Sequence, residues 1–206
     1  MILPISAIWK KDVKSLLTSP MFYTLLGLCC LLWGVLFSFE LYNFVKKSYE
    51  LSIQIKSSGL NIHHHFMSSY IVVVHYILIF IMASFSTRFF TEEKKLKSFP
   101  IYLTSPVTSW QIVMAKWFVG LTLVGLLLLV SAVFPLSLLF FIDLPMKVFL
   151  FSYFGLFLVL SVYMSASLLA SSLTESMIVS VVLSLVLIIG LLLLGVGREP
   201  VSYTHL

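Results

Sequence analysis

Residues 117–142 read WFVGLTLVGLLLLVSAVFPLSLLFFI, a run of 26 residues without an acidic or basic side chain. At a rise of 1.5 Å per residue, roughly 20 apolar residues cross a hydrocarbon core about 30 Å thick. The backbone finds no water in that core, so its polar groups have to bond to one another within a helix. This run therefore predicts a transmembrane helix.

Four other runs share this composition, and the alternating pattern typical of a membrane barrel is absent. Of all 206 residues, 60% are hydrophobic and 10% are charged, which leaves too few residues for a separate soluble catalytic domain. We expect an all-α, polytopic integral membrane helical bundle that forms one transmembrane domain over residues 1–197. Its predicted spans are residues 21–39, 66–87, 117–142, 148–174 and 176–197.

The basic residues predict the orientation of these spans, because short loops rich in Lys and Arg stay in the cytoplasm. With the N-terminus inside, eight basic residues lie on the cytoplasmic side and five on the other. Residues 88–116 are then cytoplasmic, and the segment from Glu40 to His65 is outside. Topology thus accounts for the net charge of +5, and no nucleic-acid partner is expected.

Residues 1–20 have apolar side chains at helical spacing, with lysines largely on the opposite side. We expect a helix that lies in the membrane interface and ends at Ser19-Pro20; an ordinary basic N-terminal flank is the alternative. The apolar positions are Ile5, Ile8, Trp9, Val13, Leu16 and Leu17.

Residues 88–116 predict a helix–turn–helix excursion, in which Ser105 caps a second helix that begins at Pro106. A soluble partner can pair with its charges and bind apolar anchors between Phe99 and Trp110. A solvated loop that only fixes topology is the alternative. The charged candidates for this contact are Glu92, Glu93, Lys94, Lys95 and Lys97.

The fourth run contains small residues spaced so that a neighbouring helix can approach closely, within this chain or from a second one. Pro135 frees a backbone carbonyl and predicts a kink in the third run. The small residues at the predicted contact are Ser161, Ser165, Ala166 and Ala170.

The chain lacks the groups that catalysis would require. His75 is the one histidine within the predicted spans, and a hydrogen bond to a neighbouring helix is favoured over a proton relay. Consecutive histidines, His63 to His65, do not define a tetrahedral metal site, and the adjacent Cys29 and Cys30 are expected to pack within a span. No phosphate-binding loop is present. We expect no catalytic, cofactor or metal site on this chain, and any ATP would bind a partner.

Two stretches, Phe90-Thr-Glu-Glu-Lys-Lys95 and Leu103-Thr-Ser-Pro-Val-Thr-Ser-Trp-Gln-Ile-Val-Met-Ala-Lys116, resemble the cytoplasmic motif of type-2 ABC transporter permeases. The resemblance is closest to permease subunits associated with bacterial gliding motility. It extends to residues 9–20 and 155–179, and so covers most of the chain.

The resemblance implies a six-span permease, an exporter of the bacterial cytoplasmic membrane, that works with a second identical or different permease and with an ABC-type ATPase subunit. The ATPase would dock on residues 88–116, which include the motif proline Pro106, and on a shorter contact that contains Glu175. A membrane scaffold that binds a soluble partner without transport is the alternative function.

The chain departs from the family pattern in three places. Residues 97–100 read Lys-Ser-Phe-Pro where the family has Gly-Thr-x-Glu, and Ala115 stands where the family has glycine. Five spans are present of the expected six, and the polar residues 198–206 resemble translated adaptor sequence. We therefore expect that a sixth span is missing.

Overall fold

The computed structural model describes residues 3–53, 66–95, 107–141 and 146–196. These residues form helices, and no strand occurs among them. A π-helical turn, Thr87–Thr91, joins α3 to α4, and a 3₁₀ turn, Ser137–Phe140, follows α5. The α-helices are α1 (Leu3–Thr18), α2 (Pro20–Ile53), α3 (Ser68–Ser86), α4 (Glu92–Lys95), α5 (Ser109–Leu136), α6 (Met146–Leu173) and α7 (Met177–Val196).

Within these described ranges, five helical stretches are long and apolar enough to cross a membrane. They are formed by α2, by α3 together with the π-helical turn and α4, and by α5, α6 and α7. Side chains on several of these helices are apolar and exposed, as expected for surfaces that face lipid. The predicted all-α polytopic bundle is confirmed.

Helix α2 continues beyond the predicted end of the first span, from Phe39 to Ile53. Its 34 residues make a helix about 51 Å long, which exceeds the hydrocarbon thickness of a bilayer. No proline or glycine interrupts residues 40–53, and Leu41 and Phe44 pack against a buried cluster. The helix therefore continues after the apolar run has ended.

Helix α5 begins at Ser109, so the prediction that a helix starts at Pro106 is wrong. The N-cap is Thr108, whose extended backbone (φ −78°, ψ 148°) lies outside the helix. Its N–H donates to the Oε1 atom of Gln111 at 3.0 Å. This contact is one half of a capping box, a local signal that favours Thr108 over Ser105 as the start.

Contacts between residues divide the chain into two compact units. The first unit comprises Met1–Leu78 and Thr108–Ser161, and the second comprises Ile79–Val107 and Val162–Leu206. Helices α3 and α6 each contribute to both units, whereas α1, α2 and α5 belong to the first and α4 and α7 to the second.

An aromatic cluster forms the core of the first unit. The Phe66 ring, which is fully buried, packs edge-on against Phe37 at 5.5 Å and against Phe44 at 6.2 Å between centroids. The same ring stacks on Tyr70 at 6.5 Å, and the Tyr70 hydroxyl donates to the carbonyl oxygen of Ser131 at 2.9 Å. This cluster joins the C-terminal half of α2, the start of α3 and the end of α5.

Helices α2 and α5 approach each other closely at Gly34. A Cβ atom at this position would lie 3.2 Å from the Cε1 atom of the Phe134 ring. Pro135 follows in the last turn of α5, where the chain tightens into the 3₁₀ turn. Glycine therefore lets the Phe134 ring reach the surface of α2, and Phe37 contacts the same ring at 6.1 Å between centroids.

We predict that Phe66→Ala lowers the free energy of unfolding by about 3 kcal/mol, because it leaves a cavity among rings that cannot collapse into it. The measurement is thermal and denaturant unfolding of the purified chain in detergent micelles. Phe151→Ala on α6 is the matched control, since Phe151 is 75% exposed. Equal effects of the two substitutions would contradict a structural role for the cluster.

Candidate functional site

Helix α4 carries four of the residues that the sequence predicts to contact a partner. It is a single turn with the order Glu92, Glu93, Lys94, Lys95. Its two basic residues come last, at the C-terminal end of the helical stretch Ser68–Lys95, where the helix dipole favours cations. Lys95 is exposed and the other three side chains are half-buried. The turn therefore presents charges of both signs at the surface, while three of its four side chains remain partly covered by the rest of the protein.

The π-helical turn attaches α4 to the end of α6. The Ser171 hydroxyl accepts the backbone N–H of Phe90 at 2.9 Å and that of Thr91 at 3.3 Å. Phe90, Thr91 and Ser171 are all buried. A single hydroxyl on α6 thus binds two backbone donors of the widened turn, and π-helical turns of this kind are frequent at functional sites.

Three further contacts reach carbonyl groups at and just after the end of α6, where carbonyls have no partner inside the helix. The Thr91 hydroxyl lies 3.3 Å from the carbonyl oxygen of Ser171 and 3.5 Å from that of Thr174. The Lys94 ammonium donates to the carbonyl oxygen of Ser172 at 2.6 Å. A cation at this helix end is also favoured by the helix dipole.

The connection between α6 and α7 lies beside this attachment. It consists of Thr174, Glu175 and Ser176, and the Ser176 N–H donates to the Thr174 hydroxyl at 3.1 Å. Glu175 is exposed and follows directly after Thr174, the residue that Thr91 contacts. The structure therefore brings two stretches that are distant in sequence, residues 92–95 and Glu175, to one place in the second unit. We call these five residues the charged end.

The other predicted contact residues are placed differently. Lys97, Phe99 and Pro106 lie outside the described residues. Trp110 lies in the first turn of α5, in the first unit, and is 68% exposed. Its large apolar side chain is thus available at the surface.

The four small residues of α6 that the sequence assigns to helix packing differ in their burial. Ala170 is fully buried, Ser161 and Ala166 are half-buried, and Ser165 is exposed. Sequence reasoning gave the small residues of this run a packing role and did not assign the Ser171 hydroxyl a hydrogen-bond partner. The free backbone groups at the end of a helix are carbonyls, which need donors, so this position gave no signal that Ser171 accepts N–H groups from another segment.

A second feature that the sequence did not reveal joins α1 to α5 in the first unit. The Lys116 ammonium lies 3.6 Å from the Asp12 carboxylate, with side chains that are 3% and 17% exposed. The Trp9 indole N–H donates to the Thr122 hydroxyl at 3.0 Å. The apolar face of α1 therefore packs on α5, and Lys116, which the sequence assigned only to topology, binds the one acid of α1.

His75 lies in α3, and the adjacent Cys29 and Cys30 lie in α2. No group of three His, Cys, Asp or Glu residues occurs among the described residues. His75 is half-buried in α3, Cys29 is buried in α2, and His63 to His65 lie outside the described residues.

Comparison with known proteins identifies one family. The sequence model of a family described as ABC-2 family transporter protein matches residues 6–200. No curated protein matches the chain. No solved structure matches it either.

We predict that Ser171→Ala destabilises the second unit by about 1–2 kcal/mol, because two buried N–H groups lose their acceptor. Hydrogen exchange of the Phe90 and Thr91 amides is the measurement, with exchange expected to accelerate. Ser172→Ala is the matched control: its hydroxyl bonds only within α6, to the carbonyl oxygen of Leu169, and its backbone carbonyl still binds Lys94. Unchanged protection in Ser171→Ala would contradict the attachment.

We predict that Asp12→Ala or Lys116→Ala alone costs about 3 kcal/mol, because each leaves a charge in a buried position. The double variant Asp12→Ala/Lys116→Ala should cost less than the sum of the two single variants. A double-mutant cycle on thermal unfolding measures this coupling. Additive single effects would show that the two side chains do not interact.

Proposed function

The chain belongs to the ABC-2 family of transporter proteins, and from this membership we propose that it is the permease subunit of an ATP-driven exporter. Family membership establishes a multi-pass membrane protein of an ABC transporter. The direction of transport, the coupling to an ATPase at the charged end and the bacterial cytoplasmic membrane as its location are our proposal. The five candidate spans act together as one transmembrane permease domain.

Two observations support the proposed topology. In a chain that crosses the membrane at each candidate span, residues 92–95 and 174–176 fall on the same side, and the contacts of Thr91 and Lys94 with residues 171–174 agree with this. The excess of basic residues on this side favours the cytoplasm. The N-terminus then also lies in the cytoplasm.

The observation that carries the coupling proposal is the attachment of the charged end to the fold. An ATPase that moves α4 would also move the end of α6, because Ser171 and Lys94 connect them. Hydrogen bonds at this position transmit displacement from the surface to two spans. The charges of both signs on Glu92, Lys95 and Glu175 are suited to a partner with complementary charges.

The partner is an ABC-type ATPase that binds and hydrolyses ATP, and a second permease, identical or different, completes the transporter. The small residues on α6, among them the exposed Ser165, are the proposed contact with a neighbouring helix. The likeness of residues 90–116 to permeases associated with gliding motility supports a role in that process as the narrower proposal.

We predict that exchanging one acid and one base at the charged end disrupts ATPase binding. The variant Glu92→Lys/Lys95→Glu keeps the net charge of the chain. It places each exchanged side chain opposite a partner group of the same sign, if the partner's charges complement Glu92 and Lys95. We expect recovery of a co-expressed ABC-type ATPase to fall roughly fivefold, because an exposed ion pair contributes up to about 1 kcal/mol. The measurement is co-purification from membranes, together with ATPase stimulation.

The matched control is Lys47→Glu/Glu50→Lys, which exchanges an exposed pair of the same spacing on α2 and should leave recovery unchanged. Equal recovery with all three forms would exclude the charged end as the docking site. If the ATPase binds normally but no substrate flux accompanies its activity, the chain is a membrane scaffold rather than a permease.

A further inference from the structure

An open apolar cavity of about 470 Å³ lies between α1 and α5 in the first unit. Both helices contribute three residues to its wall. An engineered apolar cavity of about 150 Å³ accepts a benzene molecule, so this space can hold a considerably longer hydrocarbon. Its wall is formed by Ile5, Ser6, Trp9, Phe118, Leu121 and Thr122.

The wall favours an apolar occupant over a polar one. The Trp9 N–H binds the Thr122 hydroxyl at 3.0 Å, and this hydroxyl donates to the carbonyl oxygen of Phe118 at 2.8 Å. These polar groups therefore satisfy each other. Apart from Ser6, the remaining contact surface is hydrocarbon and aromatic, which suits a chain of methylene groups.

The cavity is a local feature of this helix pair rather than a consequence of loose packing along it. Farther along α1, around Leu16 and Leu17, the space left against α5 is only about 30 Å³. The ion pair between Asp12 and Lys116 also connects the two helices. The cavity next to Ser6 therefore lies beside a region in which α1 and α5 pack closely.

Positive charge lies beside the cavity. Lys10 follows Ser6 by four residues and Lys14 follows Lys10 by four, so all three lie on one side of α1. Both lysines are exposed. Asp12, the one acid of α1, is engaged by Lys116 and leaves the local charge positive.

We propose that this cavity binds one acyl chain of an anionic phospholipid from the bilayer, with the lipid phosphate at Lys10 and Lys14. The occupant follows from three observations: the wall is apolar and open, the lysines beside it complement an anionic headgroup, and the chain is a multi-pass membrane protein. Such a lipid fixes α1 against the surface of the membrane. This proposal does not depend on transport or on an ATPase.

The experiment uses Trp9 as the probe, because its ring lines the cavity. The full chain carries Trp33→Phe, Trp110→Phe and Trp117→Phe, so that Trp9 is the only tryptophan, and is reconstituted in bilayers of phosphatidylcholine. Either phosphatidylglycerol or phosphatidylcholine with brominated acyl chains is then added, and quenching of Trp9 fluorescence is recorded. We expect phosphatidylglycerol to reach half-maximal quenching at a mole fraction at least roughly fivefold lower than phosphatidylcholine does.

Lys10→Gln/Lys14→Gln should abolish the preference for phosphatidylglycerol, whereas the control Lys46→Gln/Lys47→Gln should retain it. Ser6→Phe, which fills part of the cavity, should reduce quenching by both lipids. Equal quenching by the two lipids in the parent chain would overturn the proposal, as would a preference that survives loss of Lys10 and Lys14. Absence of quenching by either lipid would also overturn the proposal.

If the triple tryptophan replacement does not fold, native mass spectrometry of the unaltered chain gives the second readout. The parent chain should retain one phosphatidylglycerol through delipidation that removes phosphatidylcholine. The Lys10→Gln/Lys14→Gln variant should lose it, and retention by this variant would overturn the proposal.

Discussion

The absence of water from the hydrocarbon core is the constraint on which the rest of this structure depends. Every backbone group at membrane depth has to bond inside its own helix, so free donors and acceptors remain only at helix ends and turns. Several of the specific polar contacts occur at these places. Ser171 binds the N–H groups of the π-helical turn, and Lys94 binds a terminal carbonyl of α6.

Inside the first unit, association between helices relies on shape, because lipid competes with apolar side chains for the same surfaces. Rings around Phe66 interlock, and Gly34 permits the Phe134 ring to reach α2. A few polar links add direction: Tyr70 to Ser131, and Trp9 to Thr122. Asp12 and Lys116 form an ion pair, whereas the other two links join neutral groups. This ion pair attaches the amphipathic helix α1 to the span α5.

These two kinds of contact suit a subunit that transmits movement rather than performing chemistry. The charged end is connected to α6 by hydrogen bonds, while α1 is connected to α5 by the pair of Asp12 and Lys116. In the proposed assembly, a partner that displaced α4 would also displace the end of α6. The chain belongs to the ABC-2 family of transporter proteins, and in the proposed assembly the energy for movement comes from ATP on another protein.

The sequence by itself determined the helical class, the number of candidate spans and the position of the charged residues 92–95, because hydropathy over 20 residues is a local property. It did not determine where α2 ends, because Leu41 and Phe44 are stabilised by residues far along the chain. The start of α5 is a local feature, since Thr108 and Gln111 lie three residues apart, and the prediction of a start at Pro106 missed it. Only the tertiary structure decided that Ser171 meets Phe90, that Lys116 binds Asp12, and that a cavity remains beside Ser6. Such contacts join residues about 80 to 110 positions apart, and helical spacing carries no information on which helices become neighbours.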